Sequence, residues 1–109
     1  MTTVSFSSFQ NCLSFTVTGH AEYAESGKDI VCSAVSILAY TLAEYLLQKS
    51  EEGIIPEPDI EIQDGEISIK CEARNEEEYK FIKDKFEFVE SGYNLLHETY
   101  PKHVSIKRV

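Results

Sequence analysis

The sequence predicts a single α+β domain whose elements run β-β-α-β-β-α-β, a mostly antiparallel or mixed sheet covered on one face by two helices. Three observations carry this expectation. Short stretches of alternating apolar and polar residues come in pairs around turn-forming residues, the pattern of hairpins. Two long stretches instead space their apolar residues by three and four, the helical period. The length of 109 residues suits one compact domain, residues 1–109, with a core that needs neither disulfides nor metal.

In chain order, residues 3–7 and 13–18 alternate (Val4, Phe6; Leu13, Phe15, Val17) around a polar SSFQN segment and read as a hairpin. From residue 29 to about residue 49, Val31, Val35, Leu38, Leu42 and Tyr45 recur at helical spacing, and Ile30, Ala34, Ile37 and Thr41 widen the stripe. This helix has more apolar surface than one sheet face needs, so a homodimer is expected. SEEGIIPEPD then breaks the period with glycine, two prolines and acids and is a connection. DIEIQ and EISIKC flank Asp64-Gly65, a favoured two-residue hairpin turn, whose register sets Ile62 opposite Ile67 and Ile60 opposite Ile69. From Asn75, the acids of NEEE suit a helix start, and Tyr79, Ile82, Phe86, Val89, Tyr93, Leu96 and Tyr100 follow at spacings of three and four. Gly92 costs that helix roughly 1 kcal/mol relative to alanine, which predicts a kink or break near Ser91-Gly92. Pro101 ends the helix, and residues 103–109 supply the last strand.

Composition narrows the function. The formal charge is −9, from 19 acidic against 10 basic side chains. This opposes unspecific phosphate binding, so no direct nucleic-acid partner is expected, and it favours a basic partner. No continuous run reaches the roughly 18 apolar residues of a membrane span. MTTVSFSSFQ lacks the basic patch and apolar run of a secretory signal. A soluble, cytoplasmic protein with no membrane partner is the expectation. Three cysteines, Cys12, Cys32 and Cys71, form no CxxC or other zinc pattern, so neither a disulfide framework nor a structural metal site is expected.

One stretch, GHAEYAESGKDIVCSAVS, carries possible chemistry. Asp29 precedes the apolar period, where a carboxylate caps a helix by accepting from first-turn amides. Cys32 then falls near the third helical position, where free N–H groups and the helix dipole favour thiolate over thiol and can hold an oxyanion. His20 lies at a strand end before a glycine-containing loop, which can fold back to make a nucleophile and base pair. A plainer reading stands beside this one. Cysteine is among the most buried residue types, and His20 can simply bond backbone at a strand end. Cys12 and Cys71 fall in or beside strand patterns and read as core or edge side chains, whereas His97 and His103 read as surface residues.

The block Gly19-His20-Ala21, then Gly27, Asp29-Ile30-Val31-Cys32 and Ser36, resembles the small bacterial ribosomal-processing cysteine proteases. LLHETYPKHVSI is similar to that family's closing helix, turn and strand, so the resemblance covers essentially the whole chain. It implies Cys32 as nucleophile and His20 as base of a dyad without cofactor. It also implies a mobile flap over residues 21–28, and a site shaped by Gly19, Gly27, Asp29 and Ser36. It further implies a dimer that removes an N-terminal extension from ribosomal large-subunit protein twenty-seven, cutting after an aromatic residue. Ser33 departs from the family's usual alanine and bears on pocket shape rather than chemistry. A rival of another class is a non-enzymatic assembly factor that binds a basic ribosomal protein through the same cleft.

Overall fold

The computed structural model describes residues 1–25 and 27–108. Its order is β1 (Thr2–Phe9), β2 (Cys12–Thr18), α1 (Ile30–Glu51), β3 (Asp59–Gln63), β4 (Glu66–Glu72), α2 (Glu76–Thr99) and β5 (Val104–Arg108). The five strands form one sheet in the order β3-β4-β2-β1-β5. All pairs are antiparallel except β1 with β5, so the sheet is mixed. The alternation in β1, β2 and β4 puts Phe6, Phe15, Val17, Ile67 and Ile69 on one face, buried beneath the helices. Thr3, Ser5, Ser14, Thr16 and Ser68 take the other face and stay half-exposed. Beneath the helices, Phe15 packs tilted against Phe6 and Tyr93 at centroid distances of 5.1 and 5.6 Å.

The Asp64-Gly65 turn has the predicted register, Ile62 opposite Ile67 and Ile60 opposite Ile69. The first hairpin is longer than its apolar alternation suggested. β1 runs on through Ser8 and Phe9 because a short hydroxyl side chain and an exposed phenyl are tolerated at a strand end, and Gln10 turns the chain at φ +55°. Asp29 is the N-cap of α1, as read, and accepts from the Cys32 amide; α2 begins one residue after Asn75, its N-cap, which accepts from the Glu78 amide. β5 starts at Val104, and Val109 lies outside the described residues.

The expected break at Gly92 is corrected: α2 is continuous from Glu76 to Thr99. A Cβ at Gly92 would stand 3.0 Å from both Leu38 methyls, so the glycine serves close approach of α1 and α2. One residue on, the buried Tyr93 hydroxyl donates to the Val35 carbonyl at 2.8 Å, tying the helices together. α1 is also long and apolar enough to cross a membrane by length and composition. Core packing of Val35, Leu42 and Leu46 accounts for part of that apolarity, while Ile37 and Tyr40 remain exposed.

Candidate active site

The site is built where β2 ends, α1 begins and the β3–β4 turn comes alongside. β2 and β4 pair as far as Thr18 opposite Glu66, and the Gly19 amide continues the ladder by donating to the Gly65 carbonyl at 2.9 Å. Gly19 sits at φ +83°, and a Cβ there would stand 2.6 Å from the Met1 carbonyl oxygen. Only glycine fits this position, on both conformational and steric grounds. The chain leaves the sheet at Gly19 and delivers His20 to the turn end of the β3–β4 hairpin.

His20 and Cys32, twelve residues apart in the sequence, line two adjoining clefts together. One, of about 330 Å³, is walled by Val17, Val35, Tyr40, Ile62 and Ile67 and includes Gly19 and Ser36. The other, of about 490 Å³, includes Glu22, Gly27, Asp29 and Asp64. The six residues singled out from the sequence therefore converge on one region. His20 makes no hydrogen bond to Cys32 among the described residues. Its Nε2 lies 3.9 Å from Asp64 Oδ1, with both side chains well exposed. Neither cleft is lined by a lysine or arginine among the described residues, while Glu22, Asp29, Asp64 and Glu66 supply acids.

Asp29 does more than cap. Its Oδ1 accepts from the Cys32 amide at 2.9 Å, and its Oδ2 accepts from the amides of Tyr23 at 3.0 Å and Ala24 at 3.4 Å. One carboxylate thus fixes the start of α1 and folds the preceding loop onto it. Burial works to raise its pKa, but the amides of Cys32, Tyr23, Ala24 and Val31 outweigh it, and the net direction is downward. With both oxygens committed to amides, Asp29 is not placed to orient His20. The Cys32 amide is committed as well, so the first turn is only partly open to an oxyanion.

Further anchors hold the loop that leads to Asp29. Ala21 is buried, and its carbonyl lies 3.0 Å from His103 Nδ1. Tyr23 packs edge-on against Tyr100 and His103, with centroids 5.3 and 5.4 Å away. His103, read as a surface residue, is instead half-buried in this cluster. His97 is exposed as expected, with Nδ1 2.7 Å from the Val104 carbonyl oxygen. Gly27 takes φ +86°, the left-handed region that the helix entry requires. Of the other thiols, Cys71 is fully buried, and burial first, then Cys12 and Glu78, push it up to about 11. Cys12 is half-buried at the first position of β2.

The sequence reading missed Asp64 and Gly65 as neighbours of His20. The turn itself was legible, but the pairing of β4 with β2 that carries it to His20 is a long-range contact with no local signal.

The profile of the family described as cysteine protease Prp matches residues 1–105. The chain belongs to the cysteine protease Prp family. It is therefore a cysteine protease, and the non-enzymatic rival is set aside. Solved structures agree with this family's fold. The essential ribosomal processing protease Prp from S. aureus, in complex with a covalently linked product peptide, matches over 100% of both chains with a TM-score of 0.79 at 22% identity. The same S. aureus Prp with a substrate peptide matches over 100% of both chains at TM-score 0.75 and 18% identity. A protein from Streptococcus mutans matches over 100% of this chain and 94% of its own, at TM-score 0.69 and 27% identity. No curated protein matches by sequence.

Proposed function

We propose that this Prp-family protease is a ribosomal processing endopeptidase that removes the N-terminal extension of ribosomal large-subunit protein twenty-seven by a Cys32–His20 dyad. The observation that carries this reading is the convergence of His20 and Cys32 on one cleft at the N-terminus of α1. The positive end of α1, roughly half a unit charge, favours the Cys32 thiolate. His20 takes the thiol proton, and sulfur attacks the scissile carbonyl, whose developing oxyanion sits at the same helix end. The C–N bond then breaks as His20 protonates the leaving amine. Water, deprotonated by His20, hydrolyses the thioester and regenerates the thiol.

The lining supports the substrate class. Apolar walls from Val17, Val35, Tyr40, Ile62 and Ile67 suit an aromatic residue before the cut. The acids around the clefts suit the basic chain of a ribosomal protein. The S. aureus relative, a ribosomal processing protease captured with substrate and product peptides, supports the same assignment. Within it, Gly19, Gly27, Asp29 and Ser36 shape the site. The exposed apolar residues Ile37 and Tyr40 of α1, with Phe88 and Leu95 of α2, support action as a homodimer. Free thiols at all three cysteines suit the reducing cytoplasm.

The test is cleavage of a peptide carrying the host protein's N-terminal extension. Wild type is expected to cut once, after an aromatic residue, and Cys32→Ala to bind without cutting. Cleavage by Cys32→Ala at the wild-type rate, or no cleavage by wild type, overturns the reading.

A further inference from the structure

The β3–β4 turn offers His20 two neighbours, and they differ in strength. Asp64 is the charged one, but its carboxylate is 98% exposed and 3.9 Å from Nε2. That distance is beyond a hydrogen bond, and a contact so exposed is screened by solvent. Gly65 makes the closer contact. A Cβ built on it would stand 2.9 Å from Nε2, 3.4 Å from Cε1 and 3.5 Å from Cδ2, so the imidazole lies against the bare Cα of the turn. The turn is fixed there by the Gly19 amide on the Gly65 carbonyl and by Gln63 pairing with Glu66. Gly65 also takes φ +74°.

We propose that Gly65 is a positioning residue that seats His20 against the β3–β4 turn. The proposal rests on the reading of His20 as the base. A side chain added at Gly65 would displace the imidazole before any backbone. The atoms that meet the new Cβ belong to the end of a half-exposed, flexible side chain rather than to backbone. The ring can therefore swing away at little cost to the fold, yet the group that swings is the one that must reach the Cys32 thiol. Restoring an ordinary contact needs Nε2 to retreat by about half an ångström. Since a misplacement of about 1 Å costs on the order of 10²-fold in rate, about a tenfold loss in kcat is expected.

Gly53 provides the control. It has almost the same conformation, φ +78°, but a Cβ there meets nothing within 4 Å. Gly65→Asn separates the two roles of Gly65 further, because asparagine tolerates the left-handed region while still carrying a Cβ. The experiment measures kcat and KM on the extension peptide, and thermal midpoint, for Gly65→Asn, Gly65→Ala, Gly53→Ala and His20→Ala. Cys32 alkylation at pH 7 is measured for Gly65→Asn alone and in a His20→Ala background. Both Gly65 variants are expected to lose about tenfold in kcat with KM little changed. Gly65→Asn should melt closer to wild type than Gly65→Ala, and Gly53→Ala should turn over like wild type. Alkylation should slow in Gly65→Asn, and the same change should do nothing further once His20 is gone. Wild-type kcat in Gly65→Asn beside an inactive His20→Ala overturns the role of Gly65 and leaves the base reading standing. Wild-type kcat in His20→Ala overturns the base reading itself.

Discussion

Replacing Asp29 by asparagine removes one negative charge and almost no volume, and its expected cost follows from the three amides that donate to the carboxylate. Both oxygens are acceptors: Oδ1 for the Cys32 amide, Oδ2 for the amides of Tyr23 and Ala24. Asparagine keeps one acceptor and turns an NH₂ toward the other set of donors, whichever way its amide is flipped. If it keeps the cap, the loop amides of Tyr23 and Ala24 face a donor; if it keeps the loop, the cap is lost. The residue is only 8% exposed, so water replaces these bonds poorly. Loss of a cap alone costs about 0.5–2 kcal/mol, and a cost in the upper half of that range lowers the melting temperature of a domain this size by about 5–10 °C.

The loss should also depend on pH, with a definite sign. The folded-state pKa of Asp29 lies below its ordinary value of 3.8. The stabilisation is therefore complete above that value and disappears as pH falls from it through the lower folded-state value. Thermal melts followed by circular dichroism should show a gap between wild type and Asp29→Asn that is constant from pH 7 to about pH 5 and narrows below about pH 4. Equal melting temperatures at pH 7, or a gap that does not narrow in acid, would refute the argument that one carboxylate holds both helix and loop.

Two predictions concern the helix pair. Tyr93→Phe removes the hydroxyl from the Val35 carbonyl inside the core and should cost about 1–3 kcal/mol, read as a lower urea midpoint with unchanged slope. Gly92→Val would press a branched side chain onto the Leu38 methyls, 3.0 Å from the new Cβ. It should destabilise by about 1–3 kcal/mol in the same urea assay, despite the removal of a glycine from a helix.

Much of the fold was legible because its signals are local. The Asp64-Gly65 turn fixes its own register, and the cap at Asp29 and the acids after Asn75 announce two helix starts. The errors arose where a long-range contact changes the meaning of a residue. Gly92 looked like a weak point because helix propensity treats glycine as missing packing, whereas the absent side chain is what admits Leu38. β1 looked short because Ser8 and Phe9 break the apolar alternation, although their backbone still pairs with β2. The same division runs through the site. His20, Cys32 and Asp29 share one stretch and could be singled out together. The second oxygen of Asp29 and the seat beneath His20 depend on how a loop folds back and on which strand lies beside β2. His103 shows the point most simply: its Nδ1 lies 3.0 Å from the carbonyl oxygen of Ala21, at the far end of the sequence, and nothing near His103 in the chain signals that contact.

The proposed role of Cys32, a nucleophile activated by its helix end and by His20, can be tested against controls within the chain. Cys71 is buried, with its thiol pushed up to about 11. Cys12 is half-buried like Cys32 but begins a strand instead of a helix. Iodoacetamide labelling of the native protein at pH 7, mapped to each cysteine by mass spectrometry, compares all three under one condition. Cys32 is expected to label fastest and Cys71 slowest, and His20→Ala to lower Cys32 toward the rate of Cys12. Labelling of Cys32 no faster than that of Cys12, or unchanged by His20→Ala, would contradict that role.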